Sequence, residues 1–110
     1  MIVKNNDVKL EELGNGVSRK VLAHVPTMMM VEVNFIKDAV GEIHSHENEQ
    51  ISYIIKGSFK LSIGEKKEIV KAGDTYYVTP NVLHGVLALE ESTILDVFTP
   101  QRDDFLKQIK

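Results

Sequence analysis

The chain has 110 residues, of which 43% are hydrophobic, a formal net charge of −3 and no cysteine. This is the usual length of one domain that buries a core without cross-links, and we expect a single domain over residues 1–110. The lack of cysteine excludes a disulfide scaffold, a cysteine-ligated zinc finger, an iron–sulfur cluster and a catalytic thiol. The acidic balance argues against a nucleic-acid partner. Arginine is scarce, at Arg19 and Arg102 only.

The sequence gives no sign of a membrane partner. No apolar stretch approaches the ~20 residues of a membrane span. The first seven residues become acidic at Asp7, before an apolar signal segment could form. We therefore expect a soluble, cytoplasmic protein.

Alternation of apolar and polar residues predicts strands along most of the chain. The clearest case is Met29–Ile36, where every second residue is apolar. In chain order the predicted strands are Val17–Val25, Met29–Ile36, Ile51–Lys56, Phe59–Ile63, Glu68–Val70, Thr75–Thr79, Gly85–Glu90 and Thr93–Phe98. Only Arg102–Ile109 is typical of a helix, with Phe105, Leu106 and Ile109 on one side. The pattern predicts an all-β domain, a β-sandwich or small barrel, with a short C-terminal helical turn.

Three of the four histidines have a spacing that suits a metal site. His44 and His46 are two residues apart, so on a strand both imidazoles project from one face. Gln50 has the same parity and opens the next strand, while His84 follows a turn on a distant strand. Imidazole nitrogens and an amide oxygen form a reasonable set of ligands for a divalent transition metal. The alternative is that these are ordinary surface histidines at a strand end and a turn.

The C-terminal segment carries a second group of candidate residues. Asp96 and Phe98 share one strand face, and Arg102 follows in the next turn. Facing a cavity, Asp96 would act as general acid or base and Arg102 would hold a substrate carboxylate through its two-pronged geometry. The alternative is a structural ion pair between Asp96 and Arg102, with Phe98 in the core.

The sequence resembles the cupin family over most of its length. The first family motif is HxH, three or four residues, Glu, six residues and Gly; the second is Gly, five residues, Pro-x-Gly, two residues and His. The matching positions are His44, His46, Gln50 and Gly57, then Gly73, Pro80, Asn81 and His84. The resemblance implies a cupin fold, a small β-barrel or jelly roll.

Two departures from the cupin motifs have physical readings. Asn81 stands at a glycine position, and asparagine tolerates a left-handed turn better than most residues. Gln50 replaces the usual glutamate, so three histidines and Gln50 form a neutral ligand set. A bound ion would keep its full +2 charge, which favours anionic ligands while weakening metal affinity.

Within the family, the motifs HSHxxEQ, PNxxHG and DxFxPxRxDF resemble the small single-domain cupins of the KdgF type. The resemblance implies an enzyme that converts 4,5-unsaturated uronates, released by pectin and alginate lyases, to linear keto sugars. It also implies a homodimer with one divalent metal (nickel, zinc, iron, manganese or copper). The implied metal ligands are His44, His46, Gln50 and His84. The implied catalytic residues are Asp96, Phe98 and Arg102, which would act on a small anionic sugar acid.

Other functions stay open at this stage. A related cupin enzyme such as a dioxygenase would use the same ligands with a redox-active metal, and a non-catalytic cupin would bind a sugar without turnover. Glu49 would replace Gln50 as ligand if the strand register slipped. His24 is interpreted as a surface or hydrogen-bonded histidine, and Met28–Met30 as adaptable packing in a core or interface. The N-terminal strand could pair with a second subunit and cover a sheet edge.

Overall fold

A computed structural model describes residues 1–107 and contains ten strands within that range. The strands are β1 Glu11–Gly14, β2 Val17–Val25, β3 Met28–Phe35, β4 Val40–His44, β5 Glu49–Lys56, β6 Ser58–Ile63, β7 Lys66–Lys71, β8 Thr75–Val78, β9 His84–Ala88 and β10 Ser92–Thr99. A 3-10 turn at Asn5–Asp7 precedes them, and one α-helical turn, α1 at Asp103–Leu106, follows. The all-β prediction and the short C-terminal helical turn are confirmed.

The strands form two antiparallel sheets. The six-stranded sheet has the order β1-β2-β3-β10-β5-β8, and the four-stranded sheet has the order β4-β9-β6-β7. Apolar side chains of both sheets meet in one buried cluster, to which β3 contributes Phe35, β5 contributes Ile54 and β6 contributes Phe59. The rings of Phe35 and Phe59 meet edge to face, with their centroids 5.1 Å apart. This packing holds the two sheets face to face.

The predicted strands match the observed ones to within a few residues, but two observed strands were not predicted. β1 and β4 have no clear apolar alternation, and nearly all of their residues are exposed or half-buried. Both lie at sheet edges, where one side of the backbone is unpaired and little side-chain surface is buried. The alternation that identifies half-buried strands is therefore absent from them.

Two elements, β4 and α1, end earlier in the chain than the sequence predicted. β4 ends at His44, so His46 lies two residues beyond the strand and not on it. The helix is shorter than predicted, because α1 ends at Leu106, and the predicted helical residue Ile109 lies outside the described residues. Phe105 and Leu106 do pack together, against a second buried cluster of Val21, Met29, Val31 and Phe98. No helix within residues 1–107 is long and apolar enough to cross a membrane.

Candidate metal centre and cavity

The three motif histidines come together at one end of the two sheets. His44 ends β4 and His84 begins β9, and the two residues are direct partners across these strands, with ring centroids 4.4 Å apart. His46 lies in the following loop, its ring centroid 4.9 Å from that of His84. The backbone N–H of Asn81 donates to the carbonyl oxygen of His46 at 2.7 Å, which ties the turn before β9 to this loop. Asn81 has a φ of 67°, the left-handed conformation expected from its motif position.

Hydrogen bonds to the backbone set the tautomer of all three rings. Each Nδ1 lies within hydrogen-bond distance of a main-chain carbonyl oxygen, which only accepts, so each Nδ1 carries the proton and donates it. The acceptors are the carbonyl oxygens of Glu42 for His44 at 2.7 Å, Asn48 for His46 at 3.1 Å and Val82 for His84 at 2.9 Å. The Nε2 atoms are left with free lone pairs, and one ligand atom from each residue lies within 4.8 Å of the others.

His84 shows most directly that these lone pairs lack a partner. Its Nε2 is buried and has no hydrogen-bond partner among residues 1–107. Burial also lowers the pKa of His84 to about 4, with further lowering from His44 and His46, so the ring stays neutral. A buried, unpaired acceptor is costly unless a ligand satisfies it. Neutral imidazole is the commonest protein ligand of metal ions, so a bound metal ion would satisfy this nitrogen.

Gln50 completes the arrangement from the opposite sheet. It is buried near the start of β5, and its Oε1 lies 3.0 Å from His46 Nε2. Since His46 Nε2 has no proton in this tautomer, two acceptors face each other, and a cation between them would turn repulsion into coordination. Three imidazole nitrogens and one amide oxygen fit a divalent transition metal ion. Glu49, the alternative ligand, is exposed.

Asp96, on β10, lies next to Gln50 of the neighbouring strand β5. Its Oδ1 accepts a hydrogen bond from Ser52 Oγ at 2.6 Å and a longer one from Gln50 Nε2 at 3.3 Å. Burial raises the pKa of Asp96 to about 6, while Ser52, Arg102 and Gln50 act in the opposite direction. A cation bound beside Gln50 would act in the same direction as these three groups and bring the pKa back toward its usual value.

Arg102 pairs with Asp104 and not with Asp96. Its Nε and Nη2 donate to the two carboxylate oxygens of Asp104, at 3.0 and 2.8 Å. The guanidinium is buried and stacks on Phe105, with Cζ 4.2 Å from the ring centroid. Asp104 therefore occupies one of the two edges of Arg102 that can bind a carboxylate through two N–H groups, the edge formed by Nε and Nη2. An anion in the cavity must approach the guanidinium from its other side.

Both readings of Phe98 hold in part. The side chain is only 2% exposed and belongs to the buried cluster with Met29 and Val31. Its ring also contacts the metal candidate His46, edge to face at 5.5 Å between centroids, and lines the cavity described next. His24, in contrast, bonds Gln101 Oε1 through Nδ1 at 3.1 Å, in agreement with the interpretation as a hydrogen-bonded histidine.

A cavity of about 290 Å³ connects the two groups of candidate residues. It is lined by apolar side chains of both sheets and by a few convergent polar groups, as in small-molecule sites. The predicted site residues on its wall are His44, Gln50, His84, Asp96, Phe98 and Arg102.

Sequence reasoning gave no role to Arg19 and Ser52 near this cavity, and it allowed one of Tyr53, Tyr76 and Tyr77 to line the cavity without identifying which. Arg19 lines it from β2, and the scarcity of arginine together with the parity it shares with Val17 and Val21 could have pointed to it. Ser52 shares the parity of Gln50, and Tyr76 lies on β8 beside it, but no motif marks either residue. Tyr53 and Tyr77 are exposed, and the residue type alone could not distinguish Tyr76 from these two tyrosines.

Comparisons with known proteins agree with this geometry. The family described as "Cupin domain" matches residues 31–98. The pectin degradation protein KdgF of Dickeya dadantii (strain 3937) is 43% identical over 104 residues, which cover 93% of this chain and 94% of that protein. The solved structure of KdgF from Halomonas sp. is 34% identical with a TM-score of 0.91, covering 96% of this chain and 97% of the other. An RmlC-like cupin from Shewanella frigidimarina is 31% identical with a TM-score of 0.92, covering 94% of both chains.

Proposed function

The chain belongs to the cupin family and is a homologue of KdgF, and on this premise we propose that it converts 4,5-unsaturated uronates from pectin and alginate breakdown to linear keto sugars. The observation that carries the proposal is a single cavity wall on which two of the three clustered histidines, His44 and His84, lie together with Asp96 and Arg102. The cavity volume of about 290 Å³ is at the lower end of ligand sites and suits one sugar ring.

The overall reaction moves one proton and opens the ring. The hydroxyl proton of the hemiacetal leaves, carbon 1 becomes an aldehyde, and the bond between carbon 1 and the ring oxygen breaks. The former ring oxygen becomes the ketone of carbon 5, while the double bond between carbons 4 and 5 becomes a single bond and carbon 4 gains a proton. No oxidant or co-reactant is consumed. A divalent ion held by His44, His46, Gln50 and His84 would supply Lewis acidity to a substrate oxygen.

Asp96 is the group proposed to carry the proton. Its carboxylate lies on the cavity wall, where it is placed to take a proton from the substrate and to return it. Ser52 and Gln50 hold the Oδ1 atom in place, so the second oxygen is the one that would meet the substrate.

Arg102 and Phe98 are proposed to bind the substrate. The positive charge of Arg102 would attract the uronate carboxylate, and the ring of Phe98 forms an apolar wall beside it, with the guanidinium carbon 5.1 Å from the ring centroid. Since Asp104 occupies one edge of the guanidinium, the carboxylate would contact the opposite edge.

The experiment compares wild type, Asp96→Asn and Asp103→Asn on unsaturated galacturonate, measured by the loss of its ultraviolet absorbance. Asp103 is an exposed carboxylate seven positions along the chain and serves as the matched control. We expect Asp96→Asn to lower kcat about 100-fold or more, the size of a general acid–base contribution, and Asp103→Asn to leave it unchanged. Equal rates in wild type and Asp96→Asn would remove Asp96 from the mechanism.

Two further measurements, of uronate binding and of oxygen consumption, separate the alternatives. Uronate that binds to metal-loaded wild type without turnover would indicate a sugar-binding cupin, and oxygen consumption with a candidate substrate would indicate a dioxygenase. The choice among nickel, zinc, iron, manganese and copper, the homodimer and the cytoplasmic location stay predictions. Metal analysis, sedimentation and cell fractionation test these in turn.

A further inference from the structure

Ser52 lies at the centre of the hydrogen bonds that join Gln50 to Asp96. It is on β5, two residues after Gln50 and on the same strand face, and its exposed fraction is 0%. Its Oγ donates to Asp96 Oδ1 at 2.6 Å and accepts an N–H from Gln50 Nε2 at 2.9 Å. Ser52 therefore contacts both halves of the site, the amide beside the histidines and the carboxylate on the cavity wall.

The Ser52 hydroxyl has a single proton, and the acceptor of that proton determines whether Gln50 donates to Ser52 Oγ or accepts from it. Because that proton goes to Asp96, the side of Oγ that faces Gln50 presents only lone pairs. The amide must then turn its NH₂ group toward Ser52, and a second N–H contact reaches Asp96 Oδ1 at 3.3 Å. The carbonyl oxygen of Gln50 is consequently directed toward His46.

The opposite amide orientation would suit His46 better without a metal. In the tautomer set by the Asn48 carbonyl, His46 Nε2 is an acceptor 3.0 Å from Gln50 Oε1. A flipped amide would donate an N–H to this nitrogen and relieve the contact between two acceptors. It would also place the amide oxygen against the carboxylate of Asp96, and Ser52 could not donate to both. The hydrogen bonds of Ser52 thus oppose the flip.

We propose that Ser52 is a positioning residue, which selects the orientation of Gln50 that presents its carbonyl oxygen to the metal site. The inference rests on the metal site of the proposed function. Without the hydroxyl, only the long contact to Asp96 holds the amide, and part of the population flips toward His46. Removal of a side chain that hydrogen-bonds a metal ligand typically lowers metal affinity 10- to 100-fold.

The test is a titration of metal-free protein with Co²⁺, followed by the visible absorption of the bound ion. The variants are Ser52→Ala, Ser52→Thr and Ser92→Ala. Ser92 is the matched control because it is a serine with 1% exposure on β10 whose hydroxyl contacts the backbone of Glu90 and Ser58. Circular dichroism confirms that each variant is folded.

We expect Ser52→Ala to bind Co²⁺ about 10- to 100-fold more weakly, with a changed absorption spectrum because an oxygen ligand is lost. Ser52→Thr keeps the hydroxyl and should stay near wild type, as should Ser92→Ala. Wild-type affinity and spectrum in Ser52→Ala, or an equal loss in Ser52→Thr, would overturn the assignment. A wild type that binds Co²⁺ but leaves uronates unchanged would remove the proposed function alone, since the comparison of variants still decides the role of Ser52. A wild type that does not bind Co²⁺ would overturn both.

Discussion

Both arginines of the chain lie on the wall of one cavity, and both stack on Phe105. The Cζ atom of Arg19 is 3.8 Å from the Phe105 ring centroid and that of Arg102 is 4.2 Å from it. Each guanidinium also has a carboxylate partner, Glu11 for Arg19 and Asp104 for Arg102. Two buried cations in one cavity are tolerated because aromatic and acidic groups surround them. Glu11 and Asp104 balance the two arginine charges, so the net positive charge that favours an anionic ligand would come from a divalent ion bound by the neutral ligand set.

Asp104 supports Arg102 in a pH-dependent way. The hydrogen bonds from Arg102 lower the pKa of Asp104 below its usual value, so the folded state favours the ionised form. The resulting stability is present above the unfolded pKa of about 3.9 and is lost as pH falls through the folded value. Because the Asp104 side chain is largely exposed, the contribution is no more than about 1 kcal/mol.

We therefore expect Asp104→Asn to lower the free energy of unfolding slightly near neutral pH and to have no effect in strong acid, below both pKa values. Denaturant unfolding at several pH values measures this difference. Asp103→Asn is the control, since it removes an adjacent exposed charge. A difference between wild type and Asp104→Asn that does not shrink as the pH falls would contradict the prediction.

At the scale of elements, the sequence predicted the strands that bury one face and missed those at the sheet edges. β3 alternates buried and more exposed residues because it lies inside the six-stranded sheet. β4, an edge strand, holds His44, and its residues are mostly exposed, so no apolar periodicity marks it. The motif spacing identified His44 and His84 all the same. The hydrogen bond of Ser52 to Asp96 joins residues 44 positions apart, which local patterns do not reveal, whereas Arg102 bonds Asp104 only two positions away.

The pairing of β4 with β9 is close enough to require glycine at position 85. A Cβ at Gly85 would lie 2.8 Å from the carbonyl oxygen of Gly41 and 3.1 Å from the Cα of Ile43, both backbone atoms of β4. These atoms cannot move without the strand. Since β4 ends with His44 and β9 begins with His84, the distance between these strands sets the distance between two candidate ligands.

We expect Gly85→Ala to push β4 away from β9, to cost about 1–3 kcal/mol of stability and to weaken Co²⁺ binding. Thermal unfolding and Co²⁺ titration measure the two effects. Gly41→Ala is the comparison variant, because the atoms nearest to its Cβ are side-chain atoms, Val86 Cγ2 at 2.9 Å and Phe35 at 3.5 Å, and not the backbone of the facing strand. A Gly85→Ala protein that binds Co²⁺ as the wild type does would show that the strands tolerate the added methyl group.

On the scale of the whole molecule, the candidate metal centre joins the two sheets. His44 and His84 come from the four-stranded sheet, Gln50 comes from the six-stranded sheet, and His46 lies in the connection between β4 and β5. An ion bound to all four would link the sheets at one end, where the cavity separates them. An ion that binds the folded chain and not the unfolded chain stabilises the folded state by mass action.

We expect Co²⁺ to raise the melting temperature of the metal-free protein and a chelator to reverse the rise. At a free ion concentration about 100 times Kd the gain is about 2.7 kcal/mol. His84→Ala should lose this response, whereas His24→Ala, which alters a histidine bonded to Gln101, should keep it. A melting temperature that Co²⁺ leaves unchanged in the wild type would argue against a site that bridges the sheets.

The amide of Gln50 has a consequence for how charge and protons travel through the molecule. Its oxygen faces the histidines and its nitrogen faces Ser52 and Asp96. An amide neither gains nor loses a proton at physiological pH. Its dipole therefore couples the charge at the histidines to the charge of Asp96, but the amide does not carry a proton between them. A glutamate in its place would be a second proton reservoir beside Asp96. With glutamine, Asp96 is the titratable carboxylate at this junction, and in the proposed reaction it exchanges its proton with the sugar on the cavity side.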